Sequence, residues 1–144
     1  MILISHRGNI NGAVTSEENK PEYVEQALRL GYDVEIDLWY VEGVLYLGHD
    51  EPQYEIEYEW LKKHSKKLWV HCKNVNAIPW ICNTPLHYFW HDRDTLTLTS
   101  KNYIWVYPGK QPVLHSIAVL PELVNEDVSS CTGVCSDYIQ NYKK

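Results

Sequence analysis

The chain lacks any apolar run approaching the length of a membrane span, which argues against a transmembrane helix. It has only four cysteines, Cys72, Cys82, Cys131 and Cys135, too few for a dense disulfide framework. Cys131 and Cys135 have a spacing that could bridge or bind a metal, but no second pair has ligand spacing, so all four read as ordinary thiols. Positive charge is also short: 13 Lys and Arg against 19 Asp and Glu leave a net charge of -6. That argues against nucleic-acid binding, which needs a basic footprint. Any grip on a phosphate must then be local, through Arg7, Lys73 or Lys110. There is one Phe against six Trp and eleven Tyr. Aromatic surface therefore comes with polar tips, which suits the lining of a wet cleft. The apolar start, Met1 to Ser5, is too short for a signal peptide, and a cytoplasmic location is the expectation.

What is present is a chain of 144 residues, 44% hydrophobic and 22% charged, expected to form one globular domain over residues 1–144. Short β-rich runs predict strands at Ile2–Ser5, Asp33–Leu38, Val44–Leu47, Leu68–Cys72, Leu86–Trp90, Tyr103–Val106, Ser116–Val119 and Val134–Ser136. A helix is predicted between the first two, with Pro21 in its first turn, an apolar stripe of Tyr23, Val24, Ala27 and Leu28, and Gly31 at its end. Glu57 to Lys66 reads as a second helix and Asn74 to Cys82 as a poorer one, interrupted by Pro79. Tyr54 to Tyr58 reads as a solvated entry to the second helix. The alternating Thr95, Thr97 and Thr99 favour extended chain or loop. Strands alternating with helices point to a parallel sheet, open or closed.

Polar and titratable groups gather at the ends of these runs. Ser5-His6-Arg7-Gly8 ends the first strand, Glu35-Ile36-Asp37 the second, and Gly48-His49-Asp50 follows the third. Charges placed beside apolar runs are costly unless something binds them. Alternation puts Glu35 with Asp37, His71 with Lys73, and Trp105 with Tyr107 on shared faces. An arginine fork suits phosphate oxygens, carboxylates suit a divalent cation, and imidazoles move protons. Trp105 and Trp90 are candidate pocket walls, and Asp137 ends the last strand.

Together with Glu18-Asn19 before a proline and the later strand ending in Lys73, these segments resemble the glycerophosphodiester phosphodiesterase family, as a short, divergent member. Order and spacing match from residue 4 through residue 50 and thin out around Lys73. The resemblance implies a compact, helix-poor (β/α) TIM-like barrel with fewer than eight regular βα units. It further implies metal-dependent cleavage of a small-molecule phosphodiester, with a cyclic phosphate as a possible product. By carry-over, His6 and His49 are the acid–base pair, Arg7 and Lys73 bind the phosphate, and Glu35 and Asp37 hold Mg²⁺ or Ca²⁺.

Two departures stand out. His71 occupies the place of the family's third carboxylate ligand. Imidazole is a weak ligand for hard cations, so His71 brings Mn²⁺ or Zn²⁺ into consideration as alternatives. The chain is also short for the family. A non-catalytic phosphate- or phospholipid-headgroup-binding module is the alternative function, although binding alone needs no pair of proton carriers. Glu35 and Asp37 as a structural ion-pair cluster, and His71 as a packed core histidine, are the bland alternatives.

Overall fold

The computed structural model describes residues 1–144, and ten strands in it form one mixed sheet that curls on itself. In chain order these are β1 (Ile2–His6), β2 (Asp33–Val41), β3 (Val44–Leu47), β4 (Tyr54–Ile56), β5 (Leu68–Cys72), β6 (Tyr88–Trp90), β7 (Leu96–Leu98), β8 (Ile104–Val106), β9 (Ser116–Val119) and β10 (Gly133–Ser136). Three short helices accompany them, α1 (Pro21–Arg29), α2 (Tyr58–His64) and α3 (Ala77–Ile81). Strands β6, β5, β2, β1, β10, β9 and β8 lie side by side in that order, all parallel. The far half of β2 turns back into the antiparallel ribbon β3–β4, and β7 pairs antiparallel with β8.

This corrects the expected (β/α) TIM-like barrel. The sheet is mixed, and helices are few. The connections after β8 and β9 carry no α-helix, only a 3-10 turn at Pro121–Leu123. A parallel crossover needs about a dozen residues and usually a helix, and the second half of the chain is too short to supply one each time. The two ends of the sheet meet without a ladder. The Thr97 hydroxyl donates to the Trp90 carbonyl at 2.9 Å, and the Ser100 N–H donates to the Tyr88 carbonyl at 2.8 Å. The stretch from Tyr54, expected to be solvated, supplies β4 before α2 begins. The threonine-rich stretch supplies β7.

Alternation along the strands divides the core in two. Val34, Ile36 and Leu38 of β2 and Leu68, Val70 and Cys72 of β5 face outward, under Val24 and Ala27 of α1, Leu61 of α2, and Ala77 and Ile81 of α3. Burial of a side chain such as Ile36 or Leu38 contributes about 2 kcal/mol. The opposite faces of the same strands point into the curl, where Ile4, Trp69, Phe89, Trp105, Ile117, Val119 and Cys135 fill the lower part. On the same inward faces stand Glu35 and Asp37 of β2 and His71 of β5, with Asp37 in register with His71. All four cysteines are free thiols. No helix is long and apolar enough to cross a membrane.

Candidate active site

Because seven strands run parallel, their C-terminal ends share one rim, the usual place for a site in such sheets. A cavity of about 360 Å³ opens there, lined by His6, Arg7, Glu35, His49, His71 and Lys73 among others. Trp105 is buried in its wall, while Trp90 stands at its edge with 39% exposure. Lys110, the third candidate cation, is exposed on the loop after β8 and does not line the cavity.

Two tight backbone turns deliver the first motifs. After β1 the chain turns at Arg7, with φ of 55°, and at Gly8, with φ of 93°. The Arg7 N–H donates to the Glu35 carbonyl at 2.9 Å, and the Asn19 N–H donates to the Arg7 carbonyl at 3.1 Å. A Cβ on Gly8 would lie 2.6 Å from the Tyr23 ring, so this place takes only glycine. At Gly48 a Cβ would run into the Glu51 carbonyl oxygen. That close turn sets His49 over the site, braced by the Trp39 indole, whose N–H donates to the Gly48 carbonyl at 2.7 Å.

Asp37 is the electrostatic hub and is fully buried. Its Oδ2 accepts from Asn19 Nδ2 at 2.9 Å and lies 3.1 Å from Arg7 Nε and 3.6 Å from His49 Nδ1. Its Oδ1 lies 3.2 Å from His71 Nδ1 and 3.9 Å from Lys73 Nζ. Burial works against ionisation of Asp37, but His49, His71 and Arg7 outweigh it and hold the carboxyl well below the usual range. Arg7 is drawn the opposite way: burial lowers its value, yet Asp37, Glu35 and Glu18 raise it further. Its Nη1 donates to Glu18 Oε2 at 3.2 Å.

Glu35 has weaker company, with His71 Nδ1 3.9 Å from its Oε1. It is 2% exposed, and its Oε2 has no hydrogen-bond partner. The nearest group to that oxygen at ion-pairing range is His6 Nε2 at 3.8 Å. Burial and the neighbouring Asp37 charge push its carboxyl well above the ordinary value. One buried setting thus drives two neighbouring carboxylates in opposite directions. Glu35, Asp37 and His71 each offer a donor atom, all within 4.8 Å of one another. A buried carboxylate oxygen left without a partner is what a divalent cation would satisfy, so this set fits a metal.

The two imidazoles are held differently. His6 Nδ1 lies 2.7 Å from Asp137 Oδ1, and the Asn9 amide donates to the same oxygen at 2.8 Å. Burial opposes the charge on Asp137, but the bond to His6 overcomes it and lowers the carboxyl, so Asp137 accepts and His6 Nδ1 carries the proton. His6 Nε2 is thereby left toward the cavity. His49 is half-exposed, with Nε2 3.4 Å from Arg7 Nη2 and 3.5 Å from the exposed Asp50. Asp50 thus stands beside His49, as the motif suggests, on its solvent side.

All the sequence-predicted residues, His6, His49, Arg7, Lys73, Glu35, Asp37, His71, Trp105 and Trp90, come together at this one rim. Asp137 and Asn9 acquire roles that the sequence reading did not assign; position at the end of the last strand was the only signal for Asp137. His91 also joins the site, its ring stacked 3.7 Å from that of Tyr107. Comparison of the chain with protein-family models, with curated proteins and with solved structures finds no match.

Proposed function

We propose that this protein is a metal-dependent phosphodiesterase that cleaves a glycerophosphodiester-like small molecule by histidine general acid–base catalysis. One observation carries the reading: His6 and His49 open onto the same cavity as Arg7, Lys73 and the orphaned Glu35 carboxylate. A phosphate-binding module would need the cations but not two proton carriers beside them.

In the proposed reaction a hydroxyl, from water or from the substrate itself, attacks phosphorus and gives its proton to one imidazole. The new P–O bond forms as the bond to the leaving alcohol breaks, and the second, protonated imidazole supplies that oxygen with its proton. Arg7 and Lys73 hold the non-bridging oxygens, and Asp137 keeps His6 Nε2 aimed into the cavity. A divalent cation held by Glu35 and Asp37 would offset charge on the phosphoryl oxygens. Attack by a substrate hydroxyl yields a cyclic phosphate, attack by water an open monoester.

The test is a screen of glycerophosphodiesters with the purified protein, each with Mg²⁺, Ca²⁺, Mn²⁺ or Zn²⁺ and with chelator, resolving cyclic from open products. The expected result is turnover that chelation abolishes and added cation restores. Saturable binding of the phosphodiesters without turnover under any metal would replace the enzyme by the binding module.

A further inference from the structure

Building on that reading, we infer that the cation site is a mixed oxygen–nitrogen site for a transition ion such as Zn²⁺ or Mn²⁺, with His71 Nδ1 as its third donor. It is not an all-oxygen site for Mg²⁺ or Ca²⁺.

The ring of His71 is built as a ligand is built. Its Nε2–H donates to the His91 carbonyl at 3.4 Å, a long bond to a group that can only accept. Its face stacks on Phe89, centroids 5.0 Å apart and planes 12° apart. Ligating imidazoles almost always give their second N–H to a carbonyl or carboxylate, which fixes the tautomer and the orientation. A cation would take the place of the proton that the ring otherwise turns toward Asp37, so that Nδ1 presents its lone pair, 3.2 Å from Asp37 Oδ1 and 3.9 Å from Glu35 Oε1. Three lone-pair donors facing one another repel unless a cation or a proton lies among them. A cation about 2.1 Å from two donors in tetrahedral geometry holds them ~3.4 Å apart. The two distances from His71 Nδ1 bracket that value, and the whole set lies within 4.8 Å.

The carboxylates are prepared in the same sense. Asn19 and Arg7 occupy Oδ2 of Asp37, whereas Oδ1 has no hydrogen bond. On Glu35 the oxygen without a partner is Oε2, toward His6, while Oε1 is the one that faces His71. Lys73 Nζ, 3.9 Å from Asp37 Oδ1, is the one rival cation on that oxygen. Mg²⁺ and Ca²⁺ take oxygen ligands, and imidazole suits Zn²⁺ and the other borderline ions. The nitrogen on β5 therefore decides the class of metal.

The experiment measures binding, not turnover, on the full chain. Metal-free protein is titrated with Zn²⁺, Mn²⁺ and Mg²⁺ by calorimetry, and the Mn²⁺ complex is examined by pulsed EPR for nitrogen modulation. We expect one Zn²⁺ per chain bound at least a hundredfold more tightly than Mg²⁺, with an imidazole nitrogen signal on Mn²⁺. His71→Ala should weaken Zn²⁺ at least tenfold, and His71→Glu should narrow the gap between Zn²⁺ and Mg²⁺. Equal affinity for Mg²⁺ and Zn²⁺, absence of the nitrogen signal, or Zn²⁺ binding indifferent to His71→Ala and Glu35→Gln would overturn the inference. The EPR readout uses the unaltered protein, so it stands even if a variant fails to fold. Zn²⁺ bound through His71 without hydrolysis of any phosphodiester would sink the enzyme reading alone, and turnover on Mg²⁺ indifferent to His71 would sink the metal class alone.

Discussion

His6 Nδ1 stands 2.7 Å from Asp137 Oδ1, a bond that ties the end of β1 to the residue after β10 across 131 positions of chain. It is possible because β1 and β10 are parallel neighbours, with Ser5 in register with Ser136. A carboxylate on one nitrogen fixes the tautomer and leaves the other nitrogen to exchange protons.

Replacing Asp137 by Asn keeps the shape but lets the amide donate as well as accept, so the His6 tautomer is no longer held. Turnover should fall about ten- to a hundredfold, with the melting temperature changed by only a few degrees. Steady-state kinetics beside a thermal melt checks this; unchanged kcat would mean that Asp137 supports the fold and not His6.

His6→Ala and His49→Ala should each lower turnover at least a hundredfold while the far-ultraviolet circular dichroism stays that of the parent. His49 is half-exposed, so its loss should cost little stability. Near-normal rates in either variant would remove that ring from proton transfer.

Glu35→Gln should stabilise the metal-free protein by roughly 1 kcal/mol, because it removes a buried carboxyl whose ionised form has no partner. The pH dependence follows with a definite sign. The folded-state value of Glu35 lies above the ordinary 4.5, so its favourable contribution is present below 4.5 and is lost as pH rises. Asp37, held below the usual range, acts in reverse and costs stability only in strong acid. Denaturant unfolding of metal-free protein between pH 5 and 8 should therefore show a decline that Glu35→Gln flattens. Parallel profiles for the two proteins would contradict it.

His87 makes a second pH prediction, outside the site. It is buried, its Nε2 lies 2.7 Å from Thr99 Oγ1, and its ring sits 4.1 Å from that of Trp69. Burial, with a smaller contribution from Lys101, lowers its value from 6.5 to about 4. The neutral form is the one that folds, so the contribution is complete above 6.5 and disappears as pH falls toward 4, a loss on the order of 2–3 kcal/mol. An NMR titration of the His87 ring checks it; a folded-state midpoint near 6.5 would rule it out.

Much of the local structure was legible because it is set by near neighbours. Val34, Ile36 and Leu38 alternating with Glu35 and Asp37 announce a strand with one apolar and one chemical face, and β2 has both. The eight predicted strands all form, since each is a short β-branched or aromatic run bounded by turn residues. The expected helix-poor TIM-like barrel was not legible in the same way. It was inferred by extending a local resemblance to a second half whose loops are too short for helices, and the curled mixed sheet takes its place. β4 was missed, and β7 was left open between extended chain and loop, because a three-residue strand is decided by the partner it pairs with, Leu45–Leu47 for one and Ile104–Val106 for the other.

The sequence alone determined which titratable residues stand near the strand ends and on which face of each strand they lie, because alternation is a property of the extended chain itself. The tertiary structure decided their company. Whether Asp37 meets four cationic or imidazole groups while Glu35 meets only two imidazoles at longer range, and whether His6 finds Asp137, depends on which strands lie side by side and in what register. Hydrogen bonding between strands distant in the chain sets that register, and no local pattern of residues encodes it.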